Sequence, residues 1–174
     1  MTVLRPLNTA DLAAVAKLQT NSWGENYANV LPPDYLSGPM QRDIAARWAK
    51  GLTETDLVLG AFDPAGDLSG FIAIKLIEPA PYIDNLHIRR DAWGQGLATR
   101  LMSYAAARLS EMGHDAAWLT VLDTNIRARA LYSRLGGKEG PPGPDEMFGQ
   151  AVVSCPVHWT DLRALAQLGG SGEK

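Results

Sequence analysis

The chain has 174 residues, 46% of them hydrophobic and 20% charged, with a net charge of −3. That is enough for one domain with a core, and it lacks the basic excess of a general nucleic-acid binder. One cysteine, Cys155, and three scattered histidines, His87, His114 and His158, leave no intrachain disulfide and no clustered zinc ligands, so neither an oxidising compartment nor a metal is expected.

"VLRPL" (3–7) holds Pro6 and suits an edge strand. The stretch "MTVLRPLNTADLAAV" has no uninterrupted apolar segment of the signal-peptide kind. Nowhere does an apolar run reach the roughly 18 residues of a membrane span. The expected setting is the cytoplasm, with no membrane partner. Thr9 is placed to cap a helix through "ADLAAVAKLQTNSW", where Leu12, Val15, Ala16, Leu18 and Trp23 are apolar. Pro32 and Pro33 break the pattern. "MQRDIAARWAKGL" gives a second helix, with Ile44 and Trp48 four apart and Gly51 past its end.

The middle reads as β. "DLVLGAF" (56–62) and "LSGFIAIKLI" (68–77) flank the turn "DPAGD" and form a hairpin. "YIDNLHIR" (82–89) is a third strand. Strict alternation puts Asp84, Leu86 and Ile88 on one face, with Ile83, Asn85 and His87 on the other. Leu97, Leu101, Ala105 and Leu109 then recur every four residues in a helix that Gly113 ends. "AAWLTVL" (116–122) reads as a buried strand, "TNIRARALYSRLGG" as a helix closed by Gly136, "GPPGPDEMFG" as a loop and "QAVVSCPVHW" (150–159) as a last strand. "GGSGEK" reads as a flexible tail. The expectation is one α/β domain over residues 1–168, mixed around a single sheet, with a tail from 169 to 174.

"RRDAWGQGLATRLM" sets Gly94 and Gly96 between a strand and a helix. The first N–H groups of a helix have no intrahelical partner and carry partial positive charge. Glycines there let a phosphate approach closely. No Gly-Lys-Ser/Thr of a P-loop occurs, and Thr99 stands where a dinucleotide fingerprint needs Gly or Ala. A tight turn needing only glycine's freedom is the competing reading. Arg89, Arg90 and Arg100 favour an anion, and by spacing the two readings remain open.

The stretch Trp93-Gly94-Gln95-Gly96-Leu97-Ala98 resembles motif A of the GNAT superfamily of N-acetyltransferases, Arg/Gln-x-x-Gly-x-Gly/Ala, with Trp93 in place of the Arg or Gln. "NIRARALY" (125–132) resembles that family's N-x-x-A-x-x-x-Y helix, and "RLGG" follows where "KLGF" is common. The likeness extends over roughly residues 3–158. It implies a GNAT-like fold: a mostly antiparallel sheet splayed at a bulge near the end of "DNLHIRR", with helices on both faces. It implies acetyl-CoA, or another acyl-CoA, as co-substrate. The amides of Gly94, Gln95, Gly96, Leu97, Ala98 and Thr99 would cradle the pyrophosphate. Leu86, His87 and Ile88 would flank the pantetheine, with the Ile88 N–H near the thioester oxygen. Asn125, Arg127 and Ala128 would contact the cofactor, although Asn125 equally suits a helix N-cap, as does Thr124.

Direct attack requires a neutral amine. At pH 7 an amine of pKa near 10.4 is neutral about once in 2500, a cost of roughly 4.6 kcal/mol that a general base partly recovers. The resemblance makes Tyr132 the acid that protonates the departing thiolate, although a tyrosine beside Leu131 and Leu135 also suits packing. Asp84 is the first candidate base and Glu78 the second. His87 has a suitable intrinsic pKa, but a lone strand histidine is more often a surface or packing residue.

"SWGENYANVLPPDYL" resembles the family segment that walls the acceptor pocket, so Trp23, Tyr27 and Tyr35 either line it or simply pack. Asp84, Asp145 and Glu146 would suit a cationic acceptor, such as a small-molecule or peptide amine. The alternative within the same fold is a non-catalytic acyl-CoA-binding or sensing module. Family members are often homodimers.

Overall fold

The computed structural model describes residues 1–170. Its strands are β1 (Val3–Pro6), β2 (Asp56–Phe62), β3 (Leu68–Lys75), β4 (Tyr82–Ile88), β5 (Ala117–Leu122), β6 (Lys138–Glu139), β7 (Gly143–Met147) and β8 (Gln150–Trp159). Its helices are α1 (Leu12–Asn26), α2 (Pro33–Leu36), α3 (Pro39–Ala49), α4 (Leu97–Glu111), α5 (Ile126–Arg134) and α6 (Leu162–Gln167). The strands form one sheet in the order β1-β2-β3-β4-β5-β8-β6, with β7 also paired to β8. Every pairing is antiparallel except β4 with β5, which are parallel and share one register pair, Tyr82 with Trp118. Among the described residues no helix is long and apolar enough to cross a membrane.

The apolar runs of β2 and β3 follow from burial on both faces. Leu59, Ile72 and Ile74 join α4, α5 and α6 in one core. Val58, Phe71 and Ala73 join α1 and α3 in the other. The four-residue repeat of α4 puts Leu101, Ala105 and Leu109 into the first core, each nearly or fully buried. Leu101→Ala is expected to cost about 2–5 kcal/mol, read as a lower midpoint in chemical denaturation.

Several sequence expectations change. Asn8, not Thr9, is the N-cap: its side chain accepts from the Ala10 N–H at 2.9 Å, and its own N–H donates to Asp11 at 2.9 Å. A short 3-10 turn, Thr9–Asp11, then leads into α1. "GPPGPDEMFG" is not a loop, because Gly143–Met147 pairs with β8 as β7. Pro144 is tolerated there because β7 pairs on one side only. "DLRALAQ" forms α6, capped by Asp161, whose carboxylate accepts from the Ala164 N–H at 3.0 Å. β5 is not buried throughout, since Trp118 and Thr120 are half-buried. Gly169 and Gly170, expected in the tail, lie in the short turn Leu168–Gly170, and Gly169 packs against Ser103 of α4. Residues 171–174, the rest of the expected tail, lie outside the described residues.

The bulge falls earlier than expected. Ala73 faces Asn85, but the next residue, Ile74, faces Ile83, so Asp84 is the extra residue of β4. A bulge breaks strict alternation. Ile83 therefore shares a core with Leu86 and Ile88. Asp84 and Asn85 both leave toward the opposite helices, Asp84 to Arg47 of α3 and Asn85 to Gln19 of α1.

Candidate active site

Past the Tyr82–Trp118 pair, β4 and β5 diverge. The fork opens into a cleft of about 620 Å³, walled by β4, β5, the glycine loop, α5, the end of α1 and the β7–β8 hairpin.

On one side the cleft meets the start of α4. Gly96 is the N-cap of this helix with φ 72°, and Gly94 has φ 76°. Both sit in the left-handed region that L side chains avoid. A Cβ on either would meet no atom within 4 Å, so the space before the helix is open. Leu97, Ala98 and Thr99 of the first turn line the cleft, and their N–H groups begin a 15-residue helix. The Gln95 side chain instead folds back, donating to the Asp91 carbonyl at 3.2 Å, and only its backbone remains for a ligand.

Ile88 presents its backbone to the fork. Arg89 N–H bonds the Ser69 carbonyl at 2.8 Å, so Ile88, opposite Gly70, holds a non-hydrogen-bonded position. Its N–H and C=O therefore turn away from β3. The C=O accepts the Trp93 indole N–H at 2.9 Å, which leaves the N–H. Trp93 also carries the Arg127 guanidinium 3.9 Å above its ring. The residue that departs from the motif thus ties the loop to both β4 and α5.

Tyr132 reaches the cleft from α5. It is buried, stands edge-on to Trp159 at 5.7 Å between ring centroids, and its hydroxyl bonds none of the described residues. Burial, helped by Tyr27, pushes its phenol above the ordinary value. Tyr27 lines the same space, and burial raises it to about 12. Asn125 caps α5, accepting from the Ala128 N–H at 3.2 Å, while also lining the cleft with Arg127 and Ala128. The capping reading of Asn125 is thereby realised.

Asp84 lines the cleft and is ion-paired with Arg47, both half-buried. Glu78 is exposed in the β3–β4 connection and does not line the cleft, because the strand turns its predecessor loop outward. Asp145 accepts from Ser154 Oγ at 2.6 Å, and it and Glu146 line the cleft from β7. Tyr35 does not line the cleft. It packs in the α1–α3 core, with its hydroxyl donating to Asp43 at 2.9 Å.

His87 lines the cleft as a neutral residue. The Trp23 indole, which can only donate, reaches its Nε2 at 3.2 Å. Nδ1 therefore carries the proton and donates to Ser22 Oγ at 2.8 Å. Burial, with Arg47 adding, lowers its pKa to about 3. At that value it takes up almost no proton near pH 7. The expectation of a titrating histidine fails for this reason. Ser22, Asn26, Arg47, Tyr82 and Phe148 also line the cleft and were not singled out in sequence. Ser22 adjoins the "SW" of a resembling segment, which could have flagged it. Arg47 carries no local signal, since only the packing of α3 on the bulged β4 brings it in.

A family model described as "Acetyltransferase (GNAT) family" matches residues 18–137. The Bacillus subtilis (strain 168) protein named "Uncharacterized N-acetyltransferase YuaI" is 23% identical over 173 residues, covering 97% of this chain and 98% of that protein. The fold resembles the PaiA N-acetyltransferase of Thermoplasma acidophilum solved with coenzyme A: TM-score 0.67, 20% identity, 89% of this chain and 98% of the other. It also resembles the ribosomal-protein-S18-alanine N-acetyltransferase of Escherichia coli, with TM-score 0.69, 19% identity, and 91% and 92% covered.

Proposed function

Because the chain belongs to the GNAT acetyltransferase family, we propose that it moves an acetyl group from acetyl-CoA to a primary amine by direct attack within the β4–β5 fork. The observation that carries this reading is convergence. One cleft receives the open N-terminus of α4, the outward N–H of Ile88 and the hydroxyl of Tyr132. These residues suit acetyl-CoA, which would supply an activated acetyl group. Gly94, Gly96, Leu97, Ala98 and Thr99 would hold its pyrophosphate on backbone N–H groups. The Ile88 N–H would donate to an oxygen gaining negative charge.

Tyr132 is the general acid of this scheme. Its raised pKa keeps it protonated at neutral pH and ready to protonate a thiolate. Asp84 is the base, acting through water on the incoming ammonium. Arg47 beside it favours the ionised carboxylate, so the group arrives unprotonated. Asp145 and Glu146 draw a cationic acceptor.

A thiol-release assay with acetyl-CoA across an amine panel tests the function. Calorimetry with acetyl-CoA runs beside it. Binding without release for any amine would instead point to an acyl-CoA-binding module. The double variant D145N/E146Q should raise KM for the amine about 10–100-fold, the weight of one or two charge-assisted contacts, and leave the acetyl-CoA KM alone. An unchanged amine KM would remove both residues from acceptor binding.

A further inference from the structure

Phe148 breaks a local rule. Two residues, Phe148 and Gly149, join β7 to β8 between the paired Met147 and Gln150. Both have positive φ, 46° and 78°, the signature of a type I′ turn. The first position of that turn favours Asn, Asp or Gly, because the left-handed region crowds a Cβ against the backbone. Phe148 is the one non-glycine residue with positive φ among the described residues. Such strain persists only where the surroundings over-determine it, and it gathers at functional sites.

The ring of Phe148 is what the surroundings hold. Its centroid lies 5.5 Å from that of Trp23, which stands edge-on to Tyr27 at 5.1 Å. All three rings line the cleft, and Tyr27 lies close enough to act on Tyr132. An aromatic wall therefore runs from the hairpin tip toward the proposed acid.

The charges at this end have one sign in excess. Asp84, Asp145 and Arg47 all act on Tyr82, which places them together, and Glu146 adjoins them. The one cation of this group, Arg47, is already paired with Asp84. Among the described residues, the cleft-lining arginines without an acidic partner, Arg127 and Arg134, belong to α5. A carboxylate on the acceptor would meet three acids and no spare cation near the aromatic wall.

Resting on the acetyltransferase reading above, we propose that Phe148 is an acceptor-specificity residue: with Trp23 and Tyr27 it receives the apolar body of a primary amine that carries no carboxylate, an aralkylamine or branched alkylamine. Its apolar body lies on the rings and its ammonium faces Asp145 and Glu146. Aromatic faces suit both parts of such a molecule, through apolar contact and attraction for a cation.

The test is Phe148→Asn. Asn with Gly is a favoured type I′ pair, so the hairpin keeps its turn and loses only the ring. The wild-type enzyme is expected to have a kcat/KM for phenethylamine at least about tenfold above those for alanine and spermidine, a discrimination that one well-packed apolar group can supply. F148N should raise the phenethylamine KM about tenfold by the same argument. It should weaken phenethylamine binding in calorimetry to match, and leave the acetyl-CoA KM unchanged. Its Tm should hold or rise by about 2–4 °C as the strain is released. Preference for alanine or spermidine, an unchanged phenethylamine KM, or a fall in Tm would each overturn the proposal. Absence of thiol release with every amine would overturn the acetyltransferase reading first, and this proposal with it.

Discussion

Replacing Tyr132 with Phe should lower kcat by about 10²–10⁴-fold, the usual weight of a positioned general acid, with KM for acetyl-CoA within about twofold. The residue's environment makes this a clean substitution. The ring contacts Trp159 edge-on and fills the core beside α4, and phenylalanine keeps both features. The hydroxyl bonds none of the described residues, so its removal strands no partner and costs little stability. Burial raises the phenol's pKa, so it remains the protonated form up to and beyond pH 10. The sign follows for the pH profile. Loss of this acid would depress the rate only on the alkaline side, above the ordinary phenol value, and any limb near neutrality belongs to another group. Steady-state kinetics with thermal denaturation as a control checks the expectation. A Y132F enzyme with wild-type kcat would show that the hydroxyl is not the acid. A variant that lost Tm in step with kcat would show a packing role.

Much of the architecture was legible because it rests on local patterns. The four-residue repeat of α4, the hairpin of β2 and β3, and the glycines around Trp93 each announce themselves within a dozen residues. What the sequence hid was tertiary. The alternation of "YIDNLHIR" set Asp84 beside Leu86 and Ile88, and only the pairing of β4 with β3 reveals the bulge that turns it to Arg47. Prolines made β7 look like a loop, since nothing local says that its only partner is β8. Tyr35 lay in the right segment, yet Asp43 of α3 draws its hydroxyl into the core. The site follows the same division. Backbone features of the glycine loop were readable, whereas the charge state of His87 depends on Ser22 and Trp23, about 65 residues upstream.

Replacing Gly96 with Trp should weaken acetyl-CoA binding by at least about 100-fold, some 2.7 kcal/mol, while the fold persists. Two effects act at this position and can be separated. Any side chain there meets the strain of φ 72°, roughly 1–2 kcal/mol for a residue with a Cβ. Bulk is a second matter. No atom lies within 4 Å of the Cβ position, so the fold has room for a side chain. That room is the cleft in front of the first turn of α4, where a phosphate would meet the helix N–H groups. An indole placed there shields those groups, whereas a methyl leaves most of the space. Gly96→Ala should therefore lose as much stability as Gly96→Trp and far less affinity. Calorimetric titration of both variants, with urea denaturation of each, checks the separation. Tight binding by G96W would place the anion elsewhere and reduce the glycines to a turn. Equal loss of affinity in the two variants would mean that strain at the helix start, not blockage, carries the effect.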